Sequence, residues 1–229
     1  MKIVQCSNIS KSYKQGQVTV QALKNLSLLI DKGEFLAVAG PSGSGKTTLL
    51  NMIGGLDSMD SGSICVDGEA VEIMSQSQLA DLRLHKIGFV FQAYNLIPVL
   101  SAIENVEYVM LLQGLASKER RSKAMAILNE VGLEGKYNRR PAELSGGQQQ
   151  RVAVARAIVS NPAIVLADEP TANLDSKTGQ GLLEMMKTMN AEKQITFIFS
   201  THDSMVMEYA RRLVELKDGR LVDDQIKNN

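Results

Sequence analysis

The chain has 229 residues, 44% of them apolar, with 25 basic and 25 acidic side chains and a formal net charge of zero. This is enough apolar material for a real core in one large or two small domains, and the charge balance makes no electrostatic case for nucleic acid or an anionic membrane surface. No run of 18 apolar residues occurs, residues 1–6 turn polar too soon for a signal peptide, and Cys6 and Cys65 match no metal or redox spacing, so the expectation is a cytosolic chain with reduced thiols.

Residues 3–6, 18–20 and 26–30 alternate as strands, broken at Gly16 and closed by a turn at 31–33, which predicts an antiparallel sheet feeding a further strand. Tyr13 stands between the first two, where an aromatic side chain either stacks on a nucleotide base or lies half-buried on a sheet edge. Residues 40–47 read Gly-Pro-Ser-Gly-Ser-Gly-Lys-Thr and fit G-x-x-x-x-G-K-[ST] at every fixed position. A mostly apolar stretch of strand length (34–39) precedes the motif and a helical stretch (48–53) follows, the context this motif requires. Gly40, Gly43 and Gly45 admit backbone angles that a side chain forbids. The backbone N–H groups can then turn around an anion at the start of the helix. Lys46 supplies charge at the outer phosphates, and Thr47 offers a hard oxygen to Mg²⁺. Gly40, Ser42, Gly43, Ser44, Gly45, Lys46, Thr47 and Thr48 are therefore the candidate triphosphate-binding residues.

Further along, residues 60–63 form a turn, 64–68 a short hairpin-like element and 76–86 a mixed-charge helix, and 87–91 read as a buried strand ending at Gln92. From about 95 to 140 a helical period takes over, with apolar stripes at Ile103, Val106, Val109 and Met110, then Ala124, Ile127, Leu128 and Val131. The charged run at 118–121 reads as a solvated face. Ser145 with Gln148 three residues on is a capping box, opening a helix whose stripe is 152, 155, 158 and 159. Gly146 and Gly147 leave the N–H groups of its first turn open to an anion, a second such site with no lysine of its own. The apolar run 163–167 suits a central parallel strand, and Asp168 and Glu169 stop it. In a phosphate-loop enzyme an acid there reaches the metal, and the next carboxylate is free to take a proton from water, worth roughly 10²–10⁴-fold in rate. A helix over 177–193 with a methionine-rich face, a buried strand at 195–199 ending in residues 200–203, and strands at 214–216 and 221–222 around an Asp-Gly turn complete the reading. The polar residues beyond are expected to fray.

Leu-Ser-Gly-Gly-Gln at 144–148 is the signature of ABC-type ATPases, and the chain resembles that family along essentially its whole length. Tyr13 falls where the family has its aromatic A-loop residue, residues 40–47 at its Walker A, Gln92 at its Q-loop and residues 164–169 at its Walker B with the catalytic glutamate. Residues 173–175 match the D-loop and His202 the switch histidine. The resemblance implies an α/β fold: a P-loop NTPase core, mostly parallel sheet flanked by helices, with an N-terminal antiparallel β-subdomain and an inserted helical subdomain. Residues 1–94 and 158–229 would form the core and about 95–157 the signature subdomain of one ABC ATPase domain.

The resemblance also implies function. ATP and Mg²⁺ are the expected ligands, with Glu169, His202, Gln92 and Lys46 in catalysis and Thr47, Gln92 and Asp168 at the metal. Tyr13 and residues 40–48 of one copy would bind ATP opposite Ser145, Gly146, Gly147 and Gln148 of a second copy, two nucleotides being sandwiched between them. The expected partner beyond ATP and a second copy is an integral membrane permease subunit, not nucleic acid, which places the chain on the cytoplasmic face of the cell membrane. Residues 90–98, 104–107 and 166–175 look like the lipoprotein-releasing and macrolide-export branch, with Ala172 where that branch commonly has glycine. A division-type regulator whose membrane partner moves no substrate is the alternative. The apolar stretch 94–100, with Leu96 and Leu100, either docks a short helix of the membrane subunit or packs the helical subdomain.

Overall fold

The computed structural model describes residues 1–16 and 18–227. Its centre is built from strands apolar on both faces: β3 (Phe35–Ala39), β7 (Ile164–Asp168) and β8 (Thr196–Thr201). Alternate side chains of a strand point to opposite faces, so each strand feeds two cores. Phe35, Ala37, Val165, Ala167, Phe197 and Phe199 pack towards the helical side, while Leu36, Val38, Ile164, Leu166 and Ile198 pack towards the N-terminal sheet. The Phe35 ring lies 4.7 Å from that of Phe199 and 5.6 Å from that of Phe197, both tilted. Burial of a side chain this size contributes about 1.5–3 kcal/mol.

These strands run parallel between β9 (Arg212–Lys217) and β6 (Ile87–Val90), in the order β10-β9-β3-β8-β7-β6, with β10 (Arg220–Ile226) antiparallel on one edge. A second, four-stranded antiparallel sheet has the order β2-β1-β4-β5 and comprises β1 (Lys2–Gln15), β2 (Val18–Asp31), β4 (Ser61–Val66) and β5 (Glu69–Ala70). Helices α1 (Lys46–Ile53), α2 (Gln76–Lys86), α6 (Ser176–Lys193) and α7 (Ser204–Tyr209) belong to the core. Between β6 and β7 come α3 (Ala102–Leu112), α4 (Ser117–Glu130) and α5 (Gly146–Ile158). Ile103, Val106 and Met110 of α3 and Ala124, Ile127 and Leu128 of α4 are buried together with the inner face of α5. The expected stripes therefore face one another except at Val109, which stays half-buried outside this core, and Met186 and Met189 of α6 are buried in it.

Three expectations need correction. Residues 3–6, 18–20 and 26–30 are not three short strands but parts of one long hairpin, β1 with β2, in which Tyr13 sits opposite Val20. Register shifts interrupt the pairing near Asn8 and Asn25, both left-handed at φ 49° and 47°, and a bulge breaks the two-residue period a strand is recognised by. The strand at 87–91 ends at Val90, and because β6 is an edge strand Phe89 and Phe91 stay half-buried, stacked 5.7 Å apart. Beyond 221–222 the last strand runs on to Ile226, held by Arg212, whose guanidinium bridges Asp224 at 2.7 Å and Glu34 at 2.9 Å. Asn228 and Asn229, in the tail expected to fray, lie outside the described residues.

Candidate nucleotide site

In a parallel sheet every strand delivers its C-terminal end to the same edge. Register aligns Ala39 of β3 with Thr201 of β8, and Asp168 of β7 with Ser200. The residues that follow β3, β6, β7 and β8 therefore converge. A cleft of about 640 Å³ collects Tyr13, Lys46, Thr47, Gln92, Asp168, Glu169 and His202, with Ser42, Gly43, Ser44, Gly45 and Thr48 in its wall.

The phosphate loop is shaped by its glycines. A Cβ on Gly40, at φ 150°, would stand 2.2 Å from the Leu216 carbonyl oxygen, and one on Gly45, at φ 103°, 2.5 Å from that of Ala22. Gly45 is also the residue before α1, and no side chain caps that helix. Its first N–H groups and the positive end of its dipole thus face the cleft. Lys46 is 7% exposed, with its ammonium donating to the carbonyls of Gly40 at 2.7 Å and Pro41 at 3.0 Å. The Ser44 hydroxyl is buried without a hydrogen-bond partner, a polar atom whose need an anionic oxygen would meet. Thr47 Oγ1 lies 3.2 Å from both carboxylate oxygens of Asp168.

Glu169 adopts φ 46°, a left-handed conformation that costs a non-glycine residue on the order of 1 kcal/mol. The turn aims its carboxylate across the strand ends. Its Oε2 accepts from Thr201 Oγ1 at 3.2 Å, and its Oε1 lies 2.6 Å from Nδ1 of His202, a mostly exposed ring. Both carboxylate oxygens are thereby oriented, which suits a group required to meet a water molecule from one direction.

Ser145, Gly146, Gly147 and Gln148 are not in this cleft. The capping box is present: Ser145 Oγ accepts from Gln148 N, and Gln148 Oε1 accepts from Ser145 N. Ser145 is exposed, whereas a Cβ on Gly147 would meet Thr178 of α6 at 2.3 Å. Gly147 thus serves helix packing as well as access to the helix start.

Two connections escaped sequence reasoning because they join residues far apart in the chain. Arg156 of α5 donates to the carbonyls of Asn95 at 2.6 Å and Tyr94 at 3.0 Å, both residues left-handed. Asn173 Nδ2 donates to the Gln92 carbonyl at 2.8 Å. The segment after Gln92 is tied in this way both to the signature helix and to the loop after β7. Leu96 packs against the core on the helical side. An open apolar groove of about 630 Å³ lies beside it between α2, β6, α3 and α5, with Leu56, Leu84, Phe91, Val109 and Leu112 among its walls and Asn95 of the 94–100 stretch at its edge.

A family model described as ABC transporter matches residues 23–172. The chain belongs to the ABC transporter family. It is 44% identical over 228 residues to the macrolide export ATP-binding/permease protein MacB of Mannheimia succiniciproducens, an alignment covering 100% of this chain and 35% of that protein. The chain therefore spans about a third of that relative. It is also 44% identical to the uncharacterized ABC transporter ATP-binding protein MJ0796 of Methanocaldococcus jannaschii, over 96% of this chain and 95% of that one. Two structures of MJ0796, one a dimer in a post-hydrolysis state bound to ADP and Pi and the other also dimeric, superpose with a TM-score of 0.91 at 43% identity, covering 99% of both chains. As an ABC ATPase, the chain takes ATP as its substrate.

Proposed function

We propose that this chain is the motor of an ABC transporter, closing with a second copy of itself around two ATP molecules and driving a separate membrane subunit in export or in extraction of a lipoprotein or lipid. The carrying observation is the division of the site. Lys46, Thr47, Asp168, Glu169 and His202 share one cleft, while the signature residues Ser145, Gly146 and Gly147 of the same chain stand outside it. A two-fold axis lets one copy's uncharged helix start meet the other's phosphate loop and completes both sites at once. The dimeric relatives support this reading.

Within the site, Tyr13 would take the base and the loop from Gly40 to Thr48 the phosphates. Thr47 and Asp168 offer oxygens to Mg²⁺, with Gln92 beside them. Among the described residues no group of three or more His, Cys, Asp or Glu forms a metal cage, which fits an ion that binds through one or two protein oxygens, water and substrate phosphates. When bound, Mg²⁺ neutralises charge on the β- and γ-phosphates. Glu169 accepts the proton of the attacking water, and His202, oriented by Glu169, faces the γ-phosphate. ATP acts as a switch: its γ-phosphate holds the two copies closed and hydrolysis frees them.

The partner would be a permease subunit presenting a short helix to the groove beside Phe91, since apolar anchors seated in a groove carry most of the energy of such docking. Among the described residues no helix is long and apolar enough to cross a membrane. The permease subunit would hold the chain at the cytoplasmic face. Detergent purification of the tagged chain, with any copurifying membrane protein identified by mass spectrometry, tests the reading. Joint purification with ATPase activity stimulated by a transported molecule supports transport. Joint purification with no substrate effect favours the division-type alternative.

A further inference from the structure

The cleft has two ends, and one residue outside the recognised motifs joins them. Tyr13 lies near the tip of the β1–β2 hairpin, where Lys14 pairs with Thr19, and its ring is 36% exposed. A ring so little packed needs something else to hold it. Its phenol donates to Asp57 Oδ2 at 2.6 Å. The other carboxylate oxygen of Asp57 accepts from Lys11 Nζ at 2.7 Å, and that ammonium also donates to the Ser58 carbonyl. Lys11 is 7% exposed and its charge lies 5.2 Å from the centre of the Tyr13 ring, close enough for a cation–π attraction. A buried lysine is tolerated only when paired, so Asp57 and Lys11 form a fixed base on which the phenol rests.

Asp57 belongs to the segment that leaves α1, the helix begun by Lys46 and Thr47. The same segment is sewn to β1 again three residues on: Ser12 N donates to Asp60 Oδ2 at 2.7 Å, and Asp60 N donates to the Ser10 carbonyl at 2.9 Å. One strut thus runs from the phosphate helix to the aromatic ring. Burial, then the bond to the Asp57 carboxylate, pushes the Tyr13 phenol above its ordinary value, and it remains a donor at neutral pH. Burial works against the charge on Asp57, but hydrogen bonds from Lys11 and Tyr13 outweigh it and hold the carboxyl below its usual range.

We infer that Asp57 is a positioning residue for the nucleotide base: backed by Lys11, it holds the Tyr13 ring at the distance from the phosphate loop that one nucleoside triphosphate spans. This rests on Tyr13 being the base-stacking residue. The test compares ATP with inorganic tripolyphosphate, which has the phosphates but no base. Dissociation constants are measured by calorimetry for the full chain and for Asp57→Ala, Tyr13→Phe and Tyr13→Ala. A lost hydrogen bond and a slackened stacking contact should weaken ATP binding about three- to tenfold in Asp57→Ala and in Tyr13→Phe, with tripolyphosphate binding within about twofold of the parent. The Asp57→Ala effect should vanish in a Tyr13→Ala background. Equal losses for both ligands in Asp57→Ala would overturn the inference, since they would mean a general prop for α1. If Tyr13→Ala weakens ATP while Asp57→Ala and Tyr13→Phe do not, the stacking role stands and the positioning role falls. If Tyr13→Ala itself binds ATP normally, the stacking role falls and takes the inference with it. Should Asp57→Ala fail to fold, Tyr13→Phe, which removes one oxygen, decides alone.

Discussion

The Thr47 hydroxyl lies 3.2 Å from both oxygens of Asp168, although 121 residues separate the two in the chain. The contact joins the first turn of α1 to the end of β7 and brings together two hard oxygens that would hold Mg²⁺. Chelating Mg²⁺ should abolish turnover in the parent. Asp168→Asn should lower kcat by about a hundredfold or more, in line with losing a large electrostatic contribution, and raise the Mg²⁺ concentration needed for half activity. A metal-dependence curve unchanged in Asp168→Asn would remove Asp168 from the metal site.

Glu169, turned into the left-handed region and held between Thr201 and His202, is the expected general base. Glu169→Gln keeps the shape and loses the proton acceptor. It should bind ATP normally, slow turnover roughly 10²–10⁴-fold and accumulate as an ATP-bound dimer on gel filtration. Near-normal single-turnover hydrolysis would assign the base elsewhere.

Ser145 is exposed at the start of α5 and outside its own chain's cleft. Ser145→Arg should therefore leave ATP binding by the isolated copy unchanged, within about twofold, yet prevent ATP-driven dimerisation and turnover. Light scattering with and without ATP reads this directly. A variant that still dimerises with ATP would contradict the shared site.

The groove and the loop beside it separate by stability. Leu112, 57% exposed on the groove wall, should tolerate Leu112→Glu within about 0.5 kcal/mol while the membrane subunit is no longer captured. Leu96→Asp, by contrast, places a charge against the core on the helical side and should destabilise the isolated chain by about 2–5 kcal/mol. Chemical denaturation of each variant, paired with pull-down, tells docking from packing.

Acid should weaken one tie selectively. The hydrogen-bonded Arg212 guanidinium holds the Asp224 carboxyl below its ordinary value, with partial burial opposing it. A carboxyl depressed in the folded state stabilises fully above the unfolded value, about 3.9, and loses that contribution as pH falls through the lower folded value. The stability gap between the parent and Asp224→Asn in urea should be largest near pH 7 and close below about pH 4. A gap that widens on acidification would show that the sign is wrong.

What the sequence determined by itself was everything encoded in short spacing. The phosphate loop declares itself because its glycines, lysine and threonine stand at fixed positions within eight consecutive residues. The capping box declares itself because Ser145 and Gln148 are one helical turn apart. The strands at 35–39 and 164–168 do so because burial on both faces leaves near-continuous apolar runs, 35–39 and 163–167. The family follows from the order of such local signals. What only the tertiary structure decided depends on residues brought together from far along the chain. Nothing in the neighbourhood of Asp57 marks it as the anchor of Tyr13 and Lys11, 44 and 46 residues away. Nor does the periodicity of α5 show that Arg156 clasps the carbonyls of Tyr94 and Asn95. Leu96 and Phe91 are equally apolar in sequence, and their fates differ because one packs inward while the other sits at the open end of an edge strand. A local pattern records which face of an element is apolar, and only the packing of the other elements decides whether that face is covered.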